Sequence, residues 1–325
     1  MLECFAGAPM KTVGYVYHPD YLLHAPPFEH PESPDRLIAI NGRLAEAGLV
    51  ETLRPICPEY PDEEEILRVH DPGYLRKLEL SCRRGDLTLD AEDTYLTRNS
   101  YSIALLSAAG AIAGAEAVAT GKACRAFCAI RPPGHHAAAA EGMGFCLLNN
   151  AAITARHLQA RHGVAKAAII DWDVHHGNGT QAIFWEDPSV FFFSIHENPA
   201  FLYPGTGRKW ERGSGKGEGT TLNAPMPPGS GDAEYREVFE RMLAPALEAY
   251  RPEILILSAG FDGHRDDPLA DIQLTEEGFR FMTGFAVELA NLLCGGRIVS
   301  VLEGGYERES LVACVEIHIR ELQKD

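Results

Sequence analysis

The sequence predicts one α/β domain, a mostly parallel central sheet with helices on both faces. Three observations carry that prediction. Short, β-rich apolar runs alternate with longer segments of helical period, the pattern of strand–helix–strand crossovers. Polar, Gly-rich segments stand directly after the later apolar runs, where an open α/β sheet gathers its ligand-binding loops. No Ser/Gly-rich, charged or repeated block splits the 325 residues, so residues 12–325 read as a single domain behind an N-terminal extension, 1–11.

In chain order, the apolar run 12–17 is the first expected strand, followed by helical period over 36–47, 73–83 and 99–120. Strands are then expected at 125–130, 167–171 and 190–195, with a helix at 149–162 between the first two. Helical period returns at 233–249, 275–293 and 309–322, separated by the apolar runs 253–258 and 297–302. Continuous apolar runs of this length suit strands covered on both faces.

The formal charge of −17 argues against nucleic acid as a partner, since phosphate neutralisation needs a basic face and no Lys/Arg cluster is present. The same charge would steer a cationic or lysine-rich substrate inward, or would simply keep the protein soluble. Eight cysteines are irregularly spaced and form no CxxC pair, so they are expected to be reduced core residues. The start, MLECFAGAPMK, has neither a basic n-region nor a long apolar h-region, and no run of about 18 apolar residues is expected to reach a membrane. The expected compartment is the cytoplasm.

The segments after the expected strands hold the chemistry: RPPGHH at 131–136, DWDVHHGNGT at 171–180, HENPAFLYPGTG at 196–207, GFDGHRDDP at 260–268 and EGGY at 303–306. Asp173 and His175, two apart at a strand end, point the same way by strand alternation. Alone, such a pair is better explained by an Asp–His hydrogen bond. Asp262, at the end of another strand, adds the third protein ligand of an open catalytic metal site. His135 and His136 follow two prolines that stiffen their approach, and adjacent imidazoles can divide acid and base work, although one buried and one solvated His would fit as well. Tyr306, after two glycines at the same sheet edge, could donate its hydroxyl to a developing oxyanion.

Taken together, RPPGHH, DxDxHHGNGT, the Ser194–Ile195–His196 strand end, PGTG, GFD and EGGY occur in the order seen in zinc-dependent histone deacetylases and acetylpolyamine amidohydrolases. HPESPDR at 30–36 is also similar to that family, so the resemblance spans about residues 12–310. It implies an arginase/deacetylase-like fold and hydrolysis of an N-acetyl amide to acetate and a free amine. By resemblance, Asp173, His175 and Asp262 match the zinc ligands, His136 the general base, His135 its electrostatic or acid partner, and Tyr306 the oxyanion donor. Asp171 would orient His135, and Asn178 would support His136; an Asn there is similar to the class II branch. Zinc is the implied metal, and ferrous iron suits two carboxylates and an imidazole too. A structural potassium ion is implied at Asp171, Asp173, His175, Ser194 and Ile195. Gly144, Phe145 and Tyr203 match the walls of a substrate tunnel, and Asp93 matches a carboxylate at its rim.

Alternatives remain at three levels. A binuclear manganese hydrolase of the arginase type would need carboxylates two residues after His175 and after Asp262, where Gly177 and His264 stand. A non-catalytic acyl-lysine-binding protein of the same fold is disfavoured by Tyr306, since weakly active relatives carry His there. Between enzyme substrates, Leu269 occupies the position where polyamine-preferring relatives can carry Glu. An acetylated lysine peptide is therefore the first expectation, and a small acetylated amine the second. Neither the oligomeric state nor the role of the 208–220 segment follows from the sequence.

Overall fold

The computed structural model describes residues 11–325. The expected N-terminal extension lies, apart from Lys11, outside the described residues. Eight strands form one sheet: β1 (Val13–Val16), β2 (Arg54–Ile56), β3 (Arg125–Cys128), β4 (Ala167–Asp171), β5 (Val190–Glu197), β6 (Thr221–Met226), β7 (Ile254–Ala259) and β8 (Ile298–Leu302). Their order is β2-β1-β3-β8-β7-β4-β5-β6, and every pairing between them is parallel. The expectation of a mostly parallel sheet is met.

Ten α-helices among the described residues flank the strands: α1 (Asp35–Glu46), α2 (Glu63–Leu67), α3 (Pro72–Arg84), α4 (Ser100–Ala119), α5 (Asn150–His162), α6 (Asn178–Ile183), α7 (Asp232–Val238), α8 (Ala244–Tyr250), α9 (Glu276–Cys294) and α10 (Arg308–Leu322). Local chemistry sets several of the ends. Asn149 caps α5 by accepting from the Ala152 N–H at 2.9 Å, and Gly163 ends it in the left-handed region. Every residue of β3, β4, β7 and β8 is buried, which demands helices on both faces. One layer pairs α4 with α5, and a second joins α1, α10, α9 and α7.

Two strands and two helices escape the sequence reading. β2 (RPI) and β6 (TLNAPM) each contain a proline, which an edge strand tolerates and a central one does not, and both lie at the sheet's edges. The short helices α2 and α6 span only five and six residues, too few to show a period. The helix expected over 233–249 is α7 and α8 joined through a π-helical turn at Phe239–Leu243.

Two expectations from composition need correction. The apolar stretch thought to be missing is present: α4 is long and apolar enough, by length and composition, to cross a membrane. Its packing explains the composition, since most of it is buried, against β1, β3, β8 and α5. A helix enclosed in this way is apolar nearly all round. The cysteines are not uniformly core residues either, because Cys57 and Cys124 are exposed at the ends of the edge-proximal strands β2 and β3. The other described ones, Cys82, Cys128, Cys146, Cys294 and Cys314, are buried thiols.

Candidate active site

The sheet order brings the motifs together. The chain lays β1 to β3 toward one edge and β4 to β6 toward the other, then fills the middle with β7 and β8. The four adjacent central strands β3, β8, β7 and β4 therefore release their carboxyl-terminal loops into one crevice, the position where open α/β sheets bind ligands. Those loops carry His135 and His136, Tyr306, Asp262, and Asp173 with His175.

Asp173, His175 and Asp262 place one ligand atom each within 4.8 Å of the others. His175 Nδ1 lies 3.1 Å from Asp173 Oδ1 and 3.2 Å from Asp262 Oδ2. Backbone amides aim both carboxylates: Gly304 N–H donates to Asp173 Oδ2 at 2.7 Å, and Val174 N–H donates to Asp262 Oδ1 at 3.0 Å. A methyl group at Gly304 would run into both carboxylates, so only glycine lets the β8 loop approach this closely. Asp262 Oδ2 is buried with no aligned hydrogen-bond donor. A buried carboxylate oxygen without a donor, beside a second carboxylate and an imidazole nitrogen, fits a divalent cation. The three groups also compete for positive charge. Burial works against a charged His175, yet Asp173 and Asp262 hold its pKa up to about 10. Burial together with Asp173 pushes Asp262 above the usual carboxylate range.

The paired histidines are held in different ways. His135 Nδ1 donates to Asp171 Oδ2 at 3.0 Å. Burial opposes its charge, but Asp173 and Asp171 outweigh burial and hold its pKa up to about 10. His136 Nδ1 donates instead to the neutral Asn178 Oδ1 at 2.7 Å. Burial, with His135 and His175 nearby, pushes its pKa well below the ordinary imidazole value. The surroundings thus favour the charged form of one imidazole and the neutral form of its neighbour, with ring centres 3.9 Å apart. Tyr306 packs edge-on to Phe145, and burial raises its pKa well above the ordinary value, so it stays a protonated donor.

A cavity of about 190 Å³ leads to this centre, lined by Asp93, His136, Gly144, Phe145, His175, Leu202, Tyr203, Leu269 and Tyr306. All five residues expected along the tunnel, Asp93, Gly144, Phe145, Tyr203 and Leu269, border it. Phe145 is held at a φ of 68°, unusual for a side chain of its size, with its N–H donating to Thr94 Oγ1 at 3.1 Å. Of the residues of the implied potassium site, Asp171 at the end of β4 pairs in register with Ser194 on β5.

Several positioning residues were missed. Leu202 joins the cavity wall. Arg36 Nε donates to Gly305 O at 2.8 Å and its Nη2 to Glu303 O at 2.5 Å, pinning the loop that carries Tyr306. Asp267 accepts from the Tyr306 N–H at 2.7 Å. Arg36 stands inside the HPESPDR motif, the one signal that could have found it. The 208–220 segment is tied down by Glu211, which accepts from Gly207 N–H, Arg208 N–H and Gln181 Nε2.

Comparison with known proteins agrees with this geometry. Residues 30–322 match the histone deacetylase domain family. Over 310 residues the chain is 42% identical to a probable deacetylase of Archaeoglobus fulgidus, covering 95% of this chain and 85% of that protein. It is 39% identical over 293 residues to a histone deacetylase-like amidohydrolase of Pseudomonas aeruginosa, covering 90% of this chain and 77% of that one. The crystal structure of the HDA15 HD domain superposes with a TM-score of 0.90 at 37% identity, covering 96% of this chain and 88% of the other. With motifs, sheet order and relatives in agreement along nearly its whole length, the chain belongs to the histone deacetylase family and is a hydrolase of the deacetylase and amidohydrolase class.

Proposed function

We propose that the protein removes the acetyl group from an acetyl-lysine side chain by metal-assisted amide hydrolysis. The observation that carries this reading is the cavity, a slot between Phe145 and Tyr203 with uncharged Leu269 in its wall and the Asp173, His175 and Asp262 set at its base. A four-carbon apolar stem suits such walls, and the neutral amide needs no counter-charge along the way.

Asp173, His175 and Asp262 would hold zinc, or ferrous iron, which when bound polarises the acetyl carbonyl and acidifies water. His136 accepts the proton of the attacking water through Nε2, because Asn178 holds the hydrogen on Nδ1. The Tyr306 hydroxyl donates to the oxyanion as it forms. His135, kept cationic through Asp171, stabilises that negative charge, and a proton from the histidine pair leaves with the amine. Potassium at the Asp171–Ser194 corner would be structural. The free thiols described above support a reducing, cytoplasmic setting.

A second reading rests on one observation. Asp93 borders the cavity, and a carboxylate there suits the distal ammonium of a short acetylated polyamine. The test is release of free amine from an acetyl-lysine peptide and from N-acetylputrescine, with wild type and Tyr306→Phe, after metal quantification. We expect the peptide to be preferred, and its turnover to fall by about 10²–10³ in the variant at unchanged metal content. Preferential cleavage of acetylputrescine would move the substrate to polyamines, and full activity in Tyr306→Phe would remove the oxyanion role.

A further inference from the structure

Away from the active site, a second set of metal-ligating atoms converges where α4, α5 and α2 meet. Glu116 Oε1, near the end of α4, lies 2.8 Å from His157 Nε2 and 2.6 Å from His162 Nε2, both on α5. Two imidazoles five residues apart reach one point because His162 is the last residue of α5, immediately before the left-handed Gly163. His157 is buried, and behind it Glu65 Oε2 accepts from Nδ1 at 3.0 Å. Glu65, on α2, is in turn fixed by Arg161 Nε at 2.6 Å and faces Arg68 Nε at 3.4 Å. A carboxylate behind an imidazole fixes the ring and turns Nε2 toward a common point, the usual arrangement behind a metal-ligating histidine.

We propose that Glu116, His157 and His162 form a second divalent-metal site, for zinc or an ion of similar borderline softness, that ties α4 to α5. Two imidazole nitrogens and one carboxylate oxygen are a three-ligand set suited to such ions, with water completing the shell. Ligand atoms around an ion with bonds of about 2.0 Å stand about 3.3 Å apart, somewhat farther than these contacts. The Glu116 side chain is 42% exposed, so its carboxylate can withdraw by the necessary distance while His157 stays fixed. The His162 side chain is 22% exposed as well, which gives the ion and its waters access from solvent. The opposite end of α5 is tied to the catalytic loop by Asn150 Nδ2, which donates to Pro132 O at 3.2 Å. The two ligand sets share no residue, so a substitution in one leaves the other's ligands intact. The inference stands independently of the substrate assigned above.

Chelator-stripped wild type, His162→Ala and Glu116→Gln would be dialysed against zinc and assayed for bound metal, melting temperature and hydrolysis of an acetylated amide. Wild type is expected to retain one equivalent more than either variant and to gain a rise in melting temperature that the variants lack, while the variants keep their hydrolytic activity. Glu116→Gln is the decisive variant, because the amide oxygen still accepts both imidazole N–H groups but is a poor ligand for the ion. Equal metal content in wild type and Glu116→Gln would overturn the proposal and leave Glu116 as the acceptor of two hydrogen bonds.

Discussion

At the residue scale, the proposed division of labour between His135 and His136 depends on what each Nδ1 faces. Asp171 adds charge behind His135, whereas Asn178 fixes the His136 tautomer without adding any. Asn178→Asp would place a negative charge at hydrogen-bonding distance from the base and raise its pKa. The base must be unprotonated to accept a proton, so the acid limb of the kcat/KM profile should move to higher pH, by about one unit or more. A profile from pH 5 to 9 on an acetylated peptide reads this directly, and an unmoved limb would assign the base elsewhere. The candidate catalytic side chains were legible because each sits within a few residues of a recognisable strand end. Arg36 and Asp267 were not, because they act on backbone atoms of a loop: Arg36 lies 267 and 269 residues from its acceptors, and no local spacing encodes such a contact.

At the element scale, the loop before α1 is locked to the exit of β3 by a buried ion pair. Arg131 donates to Glu32 Oε1 at 2.9 Å and to Oε2 at 2.8 Å, and Tyr95 joins the same carboxylate at 3.0 Å. This fork holds the HPESPDR loop, the 90–95 turn with Asp93 and Thr94, and the RPPGHH segment in fixed relation. Burial alone would raise the Glu32 pKa, but Arg131 overrides it and lowers the value to about 2. A depressed folded-state pKa means the stabilisation is complete above the ordinary carboxylate value, about 4.3, and is lost as pH falls toward 2. Glu32→Gln leaves Arg131 buried without its counter-charge and should cost about 3 kcal/mol near neutrality. Urea midpoints of the two proteins should differ most at pH 6, with the gap narrowed by about a third at pH 3.5 and closing toward pH 2; a constant gap would place the pair's contribution in packing. The sequence shows that Glu32 and Arg131 belong to motifs, but not that they meet 99 residues apart. The same blindness to distant partners hid β2 and β6, whose prolines are acceptable because, among the described residues, no further strand pairs outside them.

At the scale of the whole molecule, a formal charge of −17 surrounds a cavity whose lining includes one carboxylate, Asp93, apart from the metal set and histidines at its base. If this field steers substrate, its reach is about one Debye length, about 10 Å at 0.1 M salt, and the effect must weaken as salt rises. An acetyl-lysine peptide flanked by lysines should show a KM that climbs several-fold between about 20 and 300 mM salt, whereas a glutamate-flanked peptide should show a KM that falls. Asp93→Asn separates the local carboxylate from the global field. If the salt response survives that change, the overall charge does the steering; if it vanishes, Asp93 alone does. Identical salt responses for both peptides would leave the acidic surface with a role in solubility only, and selectivity would then rest on the Phe145, Tyr203 and Leu269 walls.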